Sequence, residues 1–223
     1  MDAIKNEVKK IEIEKLIDEL ESRRGLYRLF GHLLSKEIDQ QLLDELRKPE
    51  FAAAINQLGI YLDELTNDDD LILEQLAIEF TRLFLGPGKH ISPHESVQIG
   101  RDGILNDATT VRVSHFIEVA GYEFRADSKQ YPDHICSEFE FMEALISKQT
   151  EAIADGDLEE AETSKMLQDE FLQRHLLLWI PQFCNEIEQS AKSPLYKTLG
   201  RAVSAFIKME SEQGTVKLTD LRA

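Results

Sequence analysis

Residues 82–98 read RLFLGPGKHISPHESVQ. An apolar helical run stops there at Gly86-Pro87-Gly88, and a loop follows that carries His90, Pro93, His94 and the pair Glu95-Ser96. Upstream, Leu73, Leu76, Ala77, Phe80, Leu83 and Phe84 recur at spacings of three and four, which predicts one helix over 71–85 with a single apolar face. Gly86 suits the left-handed conformation that closes a helix, and Pro87 prevents its continuation. The loop is expected to run on to about Gly100. A metal site, a phosphate cradle and a surface shaped to hold a partner are the three chemistries such a loop suggests.

Working outward, helical spacing recurs along the chain. Ile13, Leu16, Ile17, Leu20, Tyr27, Phe30 and Leu34 predict a long helix over 5–34, with one slip near Gly25. A short helix follows at DQQLLDELR (39–47), and Pro49 suits the first turn of another over 49–65. TNDDD (66–70) reads as a solvated linker with an N-cap. Beyond the loop, 104–121 is helical and 121–131 is polar and irregular, long enough to serve as a swap hinge between two halves of one domain. At Tyr131-Pro132-Asp133 a helix opens with Asp133 as its expected cap and Ile135, Phe139, Met142, Leu145 and Ile146 on one face. ADGDL (154–158) interrupts it. The next helix, over 157–189, contains FLQRHLLLWIPQFCNEI, apolar nearly all round and so buried, with a kink expected at Pro181. The last helix runs from Ser193-Pro194 to near Met209, and the tail beyond it reads as loose. No strand pattern or repeat competes. The fold class is all-α: a single globular bundle of about nine or ten helices.

Composition narrows the function. Twenty-five basic against 42 acidic residues leave a net charge of −17. Such a surface argues against nucleic-acid binding and favours encounter with basic partners. The two cysteines, Cys136 and Cys184, lie far apart and read as reduced thiols of a cytoplasmic protein. No apolar run approaches the ~20 residues that cross a bilayer, and the charged start MDAIKNEVKKIEIEK is unlike a secretory signal. SRRGLYR (22–28) imitates a twin-arginine export motif, but no cleavable apolar region follows it. Arg23 and Arg24 are expected on a helix surface.

The specific chemistries fare modestly. His90 and His94 share a loop broken by Pro93, and no HExxH or Cys cluster accompanies them. GPGKH lacks phosphate-loop spacing and follows a helix rather than a strand. Ser96 has no nucleophile elbow. Asp133-His134 resembles a metal-hydrolase dyad, so a helical metal-dependent hydrolase using those two residues stands as the alternative reading. Residues 80–96 and 131–138 are the two unusual segments, and both set polar groups and prolines beside apolar side chains, as a groove for an amphipathic peptide would.

Those segments carry a family resemblance. Phe80-x-x-Leu83-Phe84-x-Gly86-Pro87-Gly88, then Pro93 and Glu95-Ser96-Val97, resembles the first motif of the TorD/DmsD family of cytoplasmic molybdoenzyme chaperones. Pro132-Asp133-His134-Ile135-x-x-Glu138-Phe139-x-Phe141-Met142 resembles the second. Phe171-x-x-x-His175-Leu176-x-x-Trp179-x-Pro181 resembles a third, with one residue's difference in spacing. The resemblance implies an all-helical protein without catalytic turnover or resident cofactor. It implies a partner, the twin-arginine signal peptide of a molybdopterin oxidoreductase and in some cases the mature enzyme, held back until its cofactor is loaded. Domain-swapped dimers beside monomers, and weak guanine-nucleotide binding, are further implications. On this reading Phe80, Leu83, Phe84 and Pro93 bury the apolar part of the peptide, at ~1.5–3 kcal/mol per well-buried side chain before ordering costs. Glu95, Asp133 and Glu138 accept from its arginines, His134 bonds its backbone, and Gly86, Pro87 and Ser96 shape the site. His94 and Gln98 depart from the family pattern, where Pro or an aromatic often stands, and bear on which client is bound.

Overall fold

The computed structural model describes residues 2–49, 56, 69–86, 88, 90–123 and 130–212. Among these, secondary structure is helical apart from one isolated bridge. The helix expected over 49–65, most of the 121–131 hinge and the tail lie outside the described residues.

The first helix, α1, spans Asp2–Ser35 and runs unbroken through Gly25. That glycine is solvent-facing, so the slip in spacing costs no core contact. Tyr27 and Phe30 are wholly buried. Helix α2 (Gln40–Leu46) starts where the Asp39 carboxylate accepts from Leu42 N–H. Helix α3 (Asp69–Phe80) widens into a π turn at Thr81–Leu85. A five-residue helix, α4 (Glu95–Ile99), lies inside the stretch expected to be loop. Helix α5 (Ala108–Val119) is capped by Asp107. Helix α6 (Ile135–Asp155) is closed by Gly156 at φ 78°, the left-handed conformation that favours glycine. Then α7 (Leu158–Phe171), a second π turn (Leu172–Leu176) and α8 (Leu177–Ser190) form one continuous rod. Its irregularity lies upstream of Pro181, and the helix continues across the proline. Helix α9 (Pro194–Glu212) packs on α8, and α1 lies along α6.

Two expectations about single residues are corrected. Gly86 closes the α3 rod in extended conformation (φ −64°, ψ 157°). A Cβ there would stand 3.2 Å from Thr81 O, so close approach to the widened turn favours glycine, not handedness. Arg23 is not a surface residue. Its side chain is 13% exposed because α1 lies between α6 and α9. It forms a two-pronged pair with Glu210 of α9 at 2.8 and 2.7 Å and donates to Gln168 of α7 at 3.2 Å. Tyr27 Oη–H also donates to Glu210. The carboxylate is fully buried and fully served, which is what makes a buried charge tolerable.

A second carboxylate latches α3 to the α8–α9 turn. Glu79 accepts both prongs of Arg82 at 2.7 and 2.8 Å, and the backbone N–H groups of Lys192 and Ser193 as well. Arg82 donates onward to Ser190 O at 2.8 Å. Burial alone would raise the Glu79 carboxyl. The guanidinium and the two amides outweigh it and hold the group at about 2, against an ordinary value of 4.5. The latch therefore stabilises fully above the unfolded value and is lost as pH falls through the folded one. In urea unfolding, wild-type protein is expected to lose stability more steeply than Glu79→Gln between about pH 5 and pH 2, with the variant the weaker at neutral pH and the curves converging in acid. Parallel curves would refute the assignment.

Candidate peptide-binding cleft

The two motif segments meet. Glu95 N–H donates to Asp133 O and Ile135 N–H to Pro93 O, each at 2.9 Å, making an antiparallel bridge between His94 and His134. Both donors are first-turn amides, of α4 and α6, which have no partner within their own helices. Each helix start thus supplies what the other lacks. Side chains complete the exchange. Ser96 N–H donates to Asp133 Oδ2 at 2.9 Å, and Cys136 N–H to His134 Nδ1 at 3.1 Å.

Asp133 was expected to cap the helix that follows it. The cap of α6 is His134, and Asp133 caps α4 instead. The bridge turns its carboxylate across to the other chain segment, where the second amide of α4 waits. Because His134 Nδ1 accepts, its proton sits on Nε2. Burial and the neighbouring His94 hold its pKa down at about 3, so the ring is neutral. His94 is lowered too, by burial against the opposing pull of Asp133. The two rings stand 4.8 Å apart, edge to face.

Behind the bridge lies a buried polar layer. Glu95 accepts from or donates to His175 Nδ1 at 2.9 Å according to tautomer, and Glu138 Oε2 accepts from Trp179 Nε1–H at 3.0 Å. Glu95, Ser96, Asp133 and Glu138 are each at most 1% exposed. Burial, then the charge of Glu95 beside it, pushes the Glu138 carboxyl well above its ordinary range. Glu138 is therefore the protonated member of the Glu95–Glu138 pair.

In front of the bridge, a cleft of about 880 Å³ opens between the α1–α2 turn, α3 and the loop. Of the residues named from sequence, Phe80, Phe84, Pro93 and His134 line it, and His94 with them. Leu83 lines a smaller polar hollow of about 470 Å³ on the other side of the loop, against α8. Gly86 ends the π turn, and Ile91 N–H returns to bond Leu83 O at 2.7 Å, which folds the loop back onto that turn. Pro87 lies outside the described residues. Glu95, Ser96, Asp133 and Glu138 form the layer beneath, not the lining. Gln98 ties the loop down by donating to Ser92 O at 2.9 Å. Sequence reasoning missed Glu37, Ile38, Leu73, Glu74, Leu85 and Leu105 as lining residues. Helical periodicity gives α1–α2 and α3 separately, but not that their ends converge. Among the described residues no group of three His, Cys, Asp or Glu side chains is arranged to hold a metal ion. The Asp133 carboxylate and His134 Nδ1 of the suggested dyad both serve backbone amides. No described helix is long and apolar enough to cross a membrane.

The protonated state of Glu138 has a measurable signature. In the unfolded chain the carboxyl ionises near 4.5 while the folded group keeps its proton, so wild-type protein loses stability as pH rises above that value. Glu138→Gln lacks this slope and keeps an acceptor for Trp179. It is expected to melt at or above the wild-type temperature at about pH 8, with a smaller advantage at about pH 5. An equal loss at both pH values would mean that the native carboxyl is ionised.

Comparison with known proteins follows the same lines. The family model described as nitrate reductase delta subunit matches residues 44–185. The chain is 27% identical over 205 residues to the chaperone protein TorD of Vibrio parahaemolyticus, covering 86% of this chain and 94% of the other. It is 33% identical over 153 residues to the selenate reductase assembly chaperone protein of Thauera selenatis, covering 66% and 76%. A solved structure described as that of a candidate redox enzyme maturation protein from Archaeoglobus fulgidus has the same fold. It aligns with a TM-score of 0.54 at 21% identity over 83% of this chain and 93% of that one. These curated relatives are named as chaperones, not as enzymes. With the all-helical fold and both motif segments joined at one bridge, the chain belongs to the nitrate reductase delta subunit family, among the TorD-like maturation chaperones of redox enzymes.

Proposed function

We propose that this chaperone binds the twin-arginine signal peptide of a molybdopterin oxidoreductase in the cytoplasm and delays export until the cofactor is inserted. The observation that carries the reading is the cleft walled by Phe80, Phe84, Pro93, His94 and His134, residues of the two motif segments. A twin-arginine peptide offers a basic segment followed by an apolar run, and an apolar-walled cleft on a protein of net charge −17 complements both.

The roles divide by depth. Phe80 and Phe84 are nearly buried and present only their edges, so they shape the floor. Leu85, 65% exposed, and Leu105, 47% exposed, are the apolar side chains with most area left to cover. Neutral His134 offers Nε2–H to a peptide carbonyl. Glu95, Ser96, Asp133 and Glu138 contribute by holding the wall. A relative named for selenate reductase assembly supports a terminal reductase as the client class.

Titration calorimetry with signal peptides from oxidoreductases of the same genome, each beside its Lys-Lys variant, tests the reading. One peptide is expected to bind with micromolar or tighter affinity. The double variant Leu85→Asp/Leu105→Asp, altered only at exposed positions, is expected to bind at least about tenfold more weakly, the equivalent of ~1.4 kcal/mol. Absence of binding to every peptide by folded wild-type protein would overturn it.

A further inference from the structure

We propose that Glu37 and Glu74 are the arginine-reading rim of the cleft, holding the basic segment of the peptide while its apolar run lies over Phe84 and Leu85 farther along the α3 rod. This rests on the signal-peptide reading above and adds the residues that recognise its charge.

The cleft lining carries four charged side chains of Lys and acidic type: Lys36, Glu37, Asp39 and Glu74. Asp39 is already committed. Its Oδ1 caps α2 through Leu42 N–H at 2.9 Å, and its Oδ2 pairs with Lys36. That pairing also occupies the one Lys or Arg among the lining residues. Glu37 is exposed and receives a single neutral hydrogen bond, from the Thr81 hydroxyl at 2.8 Å. Glu74 is exposed and forms no ion pair among the described residues. Two uncompensated negative charges therefore face an apolar trough.

Their spacing suits adjacent side chains of one ligand. Glu74 and Thr81 are seven residues apart, on the same face of the rod and ~10 Å apart along its axis. Thr81 is the residue that holds Glu37. The two carboxylates thus bracket about two turns at the rim.

The buried acids are poorly placed for the same task. Asp133 and Glu138 have no exposed surface and Glu95 has 1%. Asp133 is bonded to Ser96 N–H and Glu138 is protonated. A guanidinium reaching them would have to part the bridge between α4 and α6 and strip its own hydration in a buried layer. At the rim it keeps water on one side. Carboxylates there favour arginine over lysine because the guanidinium offers two parallel donors to one carboxylate. The two histidines of the bridge do not oppose this, since His134 is neutral and His94 is shifted the same way.

The test uses the full chain and three synthetic forms of one bound signal peptide: Arg-Arg, Lys-Lys and Gln-Gln at the twin positions. Affinities are read by fluorescence anisotropy at low salt and at about 0.5 M salt. Wild-type protein is expected to prefer Arg-Arg over Gln-Gln by roughly five- to tenfold at low salt, as two exposed but well-oriented ion pairs would give, with Lys-Lys between. Glu37→Gln/Glu74→Gln is expected to bind Arg-Arg and Gln-Gln alike, with Gln-Gln affinity unchanged and an unaltered melting temperature. High salt should remove the wild-type preference. If the double variant keeps the preference, or wild type has none, the rim assignment is overturned while the signal-peptide reading stands. If wild type binds no form at all, both fall.

Discussion

The molecule depends on two helix starts that cap each other. An isolated helix N-terminus leaves several amide protons unbonded, and burying it without partners is costly. Here the first amides of α4 and α6 each find the carbonyl just before the other helix, and the second amides find Asp133 and His134. Segments that stand roughly 40 residues apart in the chain become one rigid unit, with no sheet to brace them. The exchange also explains why a helix of five residues persists at all. Its first two amides, which no helix can serve from within, are bonded from outside.

Two helix dipoles pointing their positive ends into one small volume need negative charge nearby. Asp133 and Glu95 supply it, while burial and the neighbouring Glu95 keep Glu138 protonated. The buried acid layer thus lies where the two helix starts meet. His175 and Trp179 bring the α7–α8 rod into the same network, so the cleft wall is braced from behind by that rod. Rigid backing of this kind lets a shallow apolar cleft keep its shape while empty.

The sequence made most of the long elements legible. In α1, α6, the α7–α8 rod and α9 the apolar face repeats over many turns, and a stripe of that length admits no strand reading. The family resemblance was legible too, because it rests on whole motifs rather than on spacing. What stayed hidden shares one cause. Helix α4 is too short for any periodicity, and its cap comes from Asp133, 37 residues further along. The buried pairing of Arg23 and the convergence of Glu37 with Glu74 depend on which elements become neighbours. Local reading placed Arg23 on a surface and Asp133 at its own helix start because, within ten residues of each, those are the sound inferences.

The Arg23–Glu210 pair joins residues 187 apart, and its neighbours Tyr27 and Phe30 pack on Phe206 of the same last helix, at ring distances of 4.8 and 5.5 Å. A chain is made from its N-terminus at roughly 5–20 residues per second, so Arg23 waits roughly 10–40 s for Glu210, well after α6 has been made. Until then the guanidinium has no carboxylate, and Tyr27 and Phe30 lack Phe206. A protein in the business of sheltering unfinished enzymes thus passes through an unsheltered stage of its own during synthesis.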